Sequence, residues 1–319
     1  MKILITGASG FIGQEIIPEL FETFPDAHIT ITDIVEPPIP STLLSKCSQI
    51  KAIKTDLTDA SNVLSLLEPG FDAIYQMHGI MSAGSEANLE LSLKVNLDSH
   101  RLMLDIIRTK FPGTKIVFPS SCAVYGPAKP GEIFSEQTLP QPQGTYGAHK
   151  FMIEILINDL SRKGVIDGRC CRLPTVIVRP GKPTAAASSF ASGIVREPMN
   201  GLKADLPVDE GVEVWVASPV SVVKNLVYAL SVPGEMFGGF RTVCLPGQCV
   251  TVKQILDALE AVGGKEKRAL VQRKEEPEIE RIVKSWPARI DTTKAKTMGM
   301  MNDLSLKEIV EGYAARLKQ

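Results

Sequence analysis

Short apolar runs alternate with longer amphipathic ones along the first half of this chain. Runs rich in β-branched residues open at Lys2-Ile-Leu-Ile-Thr6 and recur at His28–Asp33, Ile50–Lys54, 71–77, 115–118 and 169–173. Segments of helical period fill the intervals, and turn residues bound each run. That order predicts βαβ units and so a parallel sheet covered on both faces, an α/β Rossmann-like doubly wound architecture. Two predicted helices are long. One covers about 91–110 and stops before Pro112-Gly113; the other starts near Thr145, read as its N-cap, and ends at Lys163-Gly164. Both carry apolar residues on more than one face, which fits either burial against the sheet or packing against a second subunit.

Beyond about Pro174 the alternation fails. Loop signals crowd Arg179-Pro-Gly-Lys-Pro-Thr-Ala-Ala-Ala-Ser-Ser189, and Arg196-Glu-Pro-Met-Asn-Gly201 is a second break. Ser218-Pro219 then opens a helix to about Val232, and Thr251/Gln254 and Ser305/Glu308 form capping boxes for two more. The expected organisation is a nucleotide-binding domain over 1–174 with a returning segment at about 215–245. A smaller, partly interleaved C-terminal domain for substrate would use 175–214 and 246–319.

The first strand breaks into Gly7-Ala-Ser-Gly10-Phe-Ile-Gly13 and then resumes with helical periodicity. A glycine turn before a helix offers free backbone N–H groups and the positive end of the helix dipole, which suit a pyrophosphate. The spacing is one residue longer than GxGxxG, and a glycine-rich turn without ligand is the plain alternative. Asp33 closes the second strand about twenty residues on, where a ribose hydroxyl would be received. Its carboxylate would repel a 2′-phosphate, which selects NAD over NADP; a strand-end cap is the other reading. Ligands of such sheets lie beyond the C-terminal strand ends, where this chain places Gly7, Asp33, Asp56, His78-Gly79, Ser120-Ser121 and Pro174-Thr175.

Composition narrows the partners. A chain of 319 residues with formal net charge -1 and no basic run does not suit nucleic acid or an anionic membrane. No apolar stretch is long enough for a bilayer, and glycines interrupt any signal-like N-terminus. The six cysteines lack metal spacing and read as reduced residues of a cytoplasmic protein; no metal is expected.

Tyr146-Gly-Ala-His-Lys150 carries the chemistry. At i and i+4 on a helix, a phenol and an ammonium project from one face. A nearby cation favours the phenolate, so Lys150 is expected to bring Tyr146 toward a working base and also to hold ribose hydroxyls. The strand-end pair Ser120-Ser121 precedes it, placed to hydrogen-bond a reacting oxygen, with loop capping as the alternative. His78 reads as a structural imidazole. Cys122 is expected on the opposite side of the strand from Ser121, and Trp215 and Trp286 as core or pocket wall.

Through TGASGFIG, Asp33, Asp56-Leu57, SSCAVYG and YGAHK the chain resembles the extended short-chain dehydrogenase/reductase family, which also holds nucleotide-sugar epimerases and dehydratases. The resemblance implies Ser121, Tyr146 and Lys150 as catalytic residues. It places NAD on Gly7, Ser9, Gly10, Phe11, Ile12 and Gly13, on Asp33, on Asp56 and Leu57 at the adenine, and on Pro174 and Thr175 over the nicotinamide. It also implies a homodimer through the helices near 91–110 and 145–163. The segments His78-Gly-Ile-Met-Ser82 and Arg172-Leu-Pro-Thr-Val-Ile-Val-Arg-Pro-Gly181 depart from sugar-nucleotide members. The latter, with the residues to Arg196, is similar to a subgroup that oxidises a four-carbon sugar acid at C2 with NAD. A small sugar acid would touch Ser121 and Tyr146 and needs a cation for its carboxylate, for which Arg179, then Arg196 and Lys182, are candidates. Ser82, Thr175, Ser188 and Ser189 are hydroxyl candidates. A sugar-nucleotide epimerase or dehydratase with tightly held NAD, and a non-catalytic NAD sensor, remain the alternative readings.

Overall fold

A computed structural model describes residues 1–129, 131–181 and 186–318. The first six strands are β1 (Lys2–Thr6), β2 (His28–Asp33), β3 (Ile50–Lys54), β4 (Ala73–Gln76), β5 (Lys115–Ser121) and β6 (Asp167–Leu173). They are followed by β7 (Thr175–Val176), β8 (Ala204–Leu206), β9 (Glu213–Ala217), β10 (Thr242–Cys244), β11 (Gln248–Thr251) and β12 (Val271–Arg273). Seven of them form one parallel sheet in the order β10-β6-β5-β4-β1-β2-β3.

The apolar runs lack polar alternation because both sheet faces are buried. In β1, Ile3 and Ile5 pack toward the helices Phe11–Thr23 and Pro219–Ser231, while Leu4 packs with Met103, Ile153 and Phe118 on the other face. The chain order reverses between β4 and β1, so their C-terminal ends open the crevice that such sheets offer a ligand. β10 returns from far along the chain to pair with β6. A second apolar core joins the β11-β9-β7 sheet to the helices Ser189–Met199, Val252–Arg268 and Leu306–Arg316.

Local sequence signals explain several helix ends. Ser218 caps Pro219–Ser231 through Ser221 N, and both capping boxes form. The expected cap of the helix Thr145–Arg162 does not. Thr145 is its first helical residue, Gly144 stands at the N-cap without a side chain, and the Glu86 carboxylate accepts from Thr145 N in its place. The helix expected at about 91–110 contains a π-helical stretch, Leu93–Asp98. Asn96 in that stretch bonds both backbone groups of Ile80 and so pins the segment after β4.

Candidate active site

The strand ends surround a cavity of about 350 Å³, within the size range of small-ligand sites. At one end lies the glycine turn. Gly7 adopts φ +68°, and a Cβ there would come within 2.8 Å of the Met77 and His78 backbone. A Cβ on Gly13 would stand 2.5 Å from the Gly7 carbonyl oxygen, so the helix can approach the turn only with glycine. No side chain caps the helix Phe11–Thr23, because its N-cap is Gly10. The Ser9 hydroxyl is buried without a partner among the described residues, and Ser9 N donates to Asp33 Oδ2 at 2.9 Å. Uncapped N–H groups, an unpartnered hydroxyl and a carboxylate at the rim fit a dinucleotide.

At the other end Ser121 closes β5, Tyr146 stands in the first turn of Thr145–Arg162 and Lys150 follows one turn later. All three line the cavity, with Ser82, Pro174, Thr175 and Arg179. Lys150 Nζ donates to Pro119 O at 2.9 Å and lies 4.5 Å above the Phe118 ring. Arg179 is anchored by its backbone: its N–H donates to Ser192 Oγ at 3.1 Å, and its carbonyl accepts from Arg196 Nη1 at 3.0 Å.

Residues 3–211 match the NAD dependent epimerase/dehydratase family. The chain belongs to this family. It is 37% identical to a D-erythronate dehydrogenase of Haemophilus influenzae and 35% identical to one of Cupriavidus necator, each match covering 98% of both chains. Among solved structures, a nucleoside-diphosphate-sugar epimerase from Agrobacterium tumefaciens superposes with a TM-score of 0.90 at 31% identity, over 99% of this chain and 94% of that one. NAD is the cofactor of the family, and the glycine turn is where this member would hold its pyrophosphate.

Not every residue singled out in this family member reaches the cavity. Gly7, Gly10, Phe11, Ile12, Gly13 and Asp33 line it. Asp56 stands beside Asp33 at the same rim, where Thr55 N donates to the Asp33 carbonyl, but its carboxylate accepts from Thr58 N and Oγ1, and Leu57 is buried in the core. Arg196 is buried behind Arg179 and pairs with Glu197 at 2.6 Å, so it braces the loop. Ser189 is buried at the start of its helix, while Ser188 lines the cavity. Lys182 lies outside the described residues. Cys122 lines the cavity beside Ser121, because strand alternation ends at Ser121 and a tight turn, Cys122–Val124, follows. Burial pushes its thiol up to about 12, so it stays protonated. Trp215 is buried in β9; Trp286 is a cavity wall.

The electrostatics differ from the expectation drawn from spacing. Burial, then the neighbouring Cys122, pushes Tyr146 up to about 12, and the Ser121 hydroxyl and the Arg179 charge pull the other way. Lys150 Nζ stands 5.8 Å from the centre of the Tyr146 ring, with its ammonium donating to Pro119 O. Burial holds Lys150 itself down at about 8, against the charge of Glu154. A lysine depressed from 10.5 to about 8 is a cost to the native state at neutral pH, relieved as pH rises from 8 to 10.5, where the unfolded chain binds the extra proton. Lys150→Met removes that titration. In urea unfolding the wild type should therefore gain roughly 3 kcal/mol on the Lys150→Met variant between pH 7 and pH 10.5.

His78 lines the cavity and is neutral, held down at about 3 by burial and then by the Lys150 charge. Ser99 Oγ donates to Val95 O, so it accepts from His78 Nε2, and His78 Nδ1 accepts from Thr6 Oγ1, both at 2.8 Å. His100 stacks on it at 3.8 Å. The pair is a rigid floor, as a structural imidazole would be. Behind Lys150 lies a group not anticipated from the sequence: Arg172 forms a bidentate pair with Glu154 and donates to the Tyr125 hydroxyl at 2.6 Å, all buried. The signal was a lone Glu154 inside Phe151-Met-Ile-Glu-Ile-Leu-Ile157.

Proposed function

We propose that this chain is an NAD-dependent dehydrogenase that oxidises the C2 hydroxyl of a small sugar acid, D-erythronate to 2-dehydro-D-erythronate. The observation that carries the reading is Arg179, a cavity-lining cation close enough to Tyr146 to lower its pKa and paired with no acidic side chain among the described residues. In a 2-hydroxy acid the carboxylate is bonded to the carbon that reacts. A guanidinium next to the proton acceptor is the arrangement that substrate requires. The two full-length relatives named for D-erythronate support the chain length.

The residues divide the work. Arg179 grips the carboxylate and fixes C2; Ser121 hydrogen-bonds the C2 oxygen; Tyr146 accepts the hydroxyl proton. Lys150, fixed by Pro119 O, presents its ammonium beside them. Bound NAD supplies the hydride acceptor. Gly7 to Gly13 and Asp33 would hold it, with Asp56, Leu57, Pro174 and Thr175 along its length. The segments 175–214 and 246–319 would form the substrate domain on an NAD domain of 1–174 plus 215–245. Exposed Leu91, Met152 and Ile155 on the two long helices support a homodimer. A cytoplasmic location accords with four of the six free cysteines being buried and no described helix able to cross a membrane.

The test is NADH release across sugar acids of three to six carbons in both configurations. Turnover of the four-carbon acid is expected. Conversion of a nucleotide sugar without net NADH would establish the epimerase reading instead, and NAD binding with no turnover the sensor. For the cofactor, Asp33→Ser should raise the NADP-to-NAD ratio of kcat/KM by about tenfold or more, since a like charge against the 2′-phosphate is removed. An unchanged ratio would take the ribose away from Asp33.

A further inference from the structure

We propose that Trp286 ends the substrate pocket and sets the longest acid the site accepts. This rests on the dehydrogenase reading above. Beside the main cavity lies a recess of about 20 Å³, which shares Ser82, Ala123, Tyr146 and Trp286 with it and does not include Arg179. A recess of that size has room for about one water-sized group. With the carboxylate on Arg179 and C2 at Tyr146, the tail of the acid runs into this recess. It meets the indole.

Behind Trp286 lies open space. Trp286 also lines an outer cavity of about 270 Å³ with Lys129, Lys284 and Arg289, so it is the residue that the recess and the outer cavity have in common. Its backbone is held from both sides. Trp286 N donates to Val283 O at the end of the helix Pro277–Lys284, and Phe134 N donates to Arg289 O just beyond. The indole N–H makes no hydrogen bond to any described residue and is available to a substrate hydroxyl. A wall fixed at its backbone but made of one side chain can be removed without moving the catalytic helix.

The experiment compares kcat/KM for four-, five- and six-carbon aldonates in the wild type, Trp286→Ala and Trp286→Phe. Trp286→Ala should raise the six-to-four-carbon ratio by about tenfold or more, because it joins the recess to the outer cavity. Trp286→Phe, which keeps an aromatic wall, should leave the ratio near that of the wild type. NADH binding measured by fluorescence shows that each variant is folded. An unchanged ratio in Trp286→Ala, or a wild type that already takes six-carbon acids as well as four-carbon ones, overturns the proposal and leaves the dehydrogenase reading standing. A wild type that oxidises none of the acids overturns both.

Discussion

Tyr146→Phe is expected to lower kcat by about 10³–10⁴-fold while NAD still binds, because it removes the phenol proposed to take the hydroxyl proton. The loss should fall on kcat, since the phenol hydroxyl does little for binding that Ser121 and Arg179 do not do. Stopped-flow NADH formation and NADH fluorescence titration separate the two quantities. Full turnover in the variant would remove Tyr146 from the mechanism. The pH dependence follows from its surroundings. With Tyr146 pushed up to about 12, the base form becomes more populated throughout the neutral range as pH rises, so oxidation should speed up from pH 6 to 8. In Tyr146→Phe the residual rate should lack the rising limb.

What could be read from the chain was what depends on short spacing. Gly7, Gly10 and Gly13 define a turn within seven residues, Asp33 closes the next strand, and Tyr146 and Lys150 lie one helical turn apart, so local geometry alone brings each set together. The seven-stranded sheet followed for the same reason, apart from β10, which returns from beyond β7, β8 and β9 to pair with β6. Spacing does not report what else a side chain meets. Lys150 does share a helix face with Tyr146, yet its ammonium is taken by a carbonyl from β5, and the phenol responds to Arg179, which lies beyond β7. Glu86 capping the helix Thr145–Arg162 from fifty-nine residues away, and the buried Arg172–Glu154 pair, are contacts of the same long-range kind. A serine or threonine at the cap is legible; a carboxylate arriving from another helix is not.

Arg179→Ala should lower kcat/KM for the four-carbon acid by about 10²–10³-fold, since truncating one partner of a buried charge pair leaves the other desolvated and unmatched. Arg179 is held below its ordinary pKa by burial and then by the Arg196 charge beside it. Glu197 pairs with Arg196, and Arg179 has no acidic partner among the described residues, so the local field favours an arriving anion. Because the carboxylate also sets where C2 sits, the loss should appear in kcat as well as KM. Arg179→Lys should recover only part of it: an ammonium keeps the charge but lacks the two-pronged fit to a carboxylate. The neutral analogue separates binding from chemistry. Against the corresponding sugar amide the wild type should lose most of its advantage over Arg179→Ala, because the guanidinium then has no anion to meet. If the variant is as slow with the amide as with the acid relative to the wild type, Arg179 braces the loop, and the carboxylate is held elsewhere.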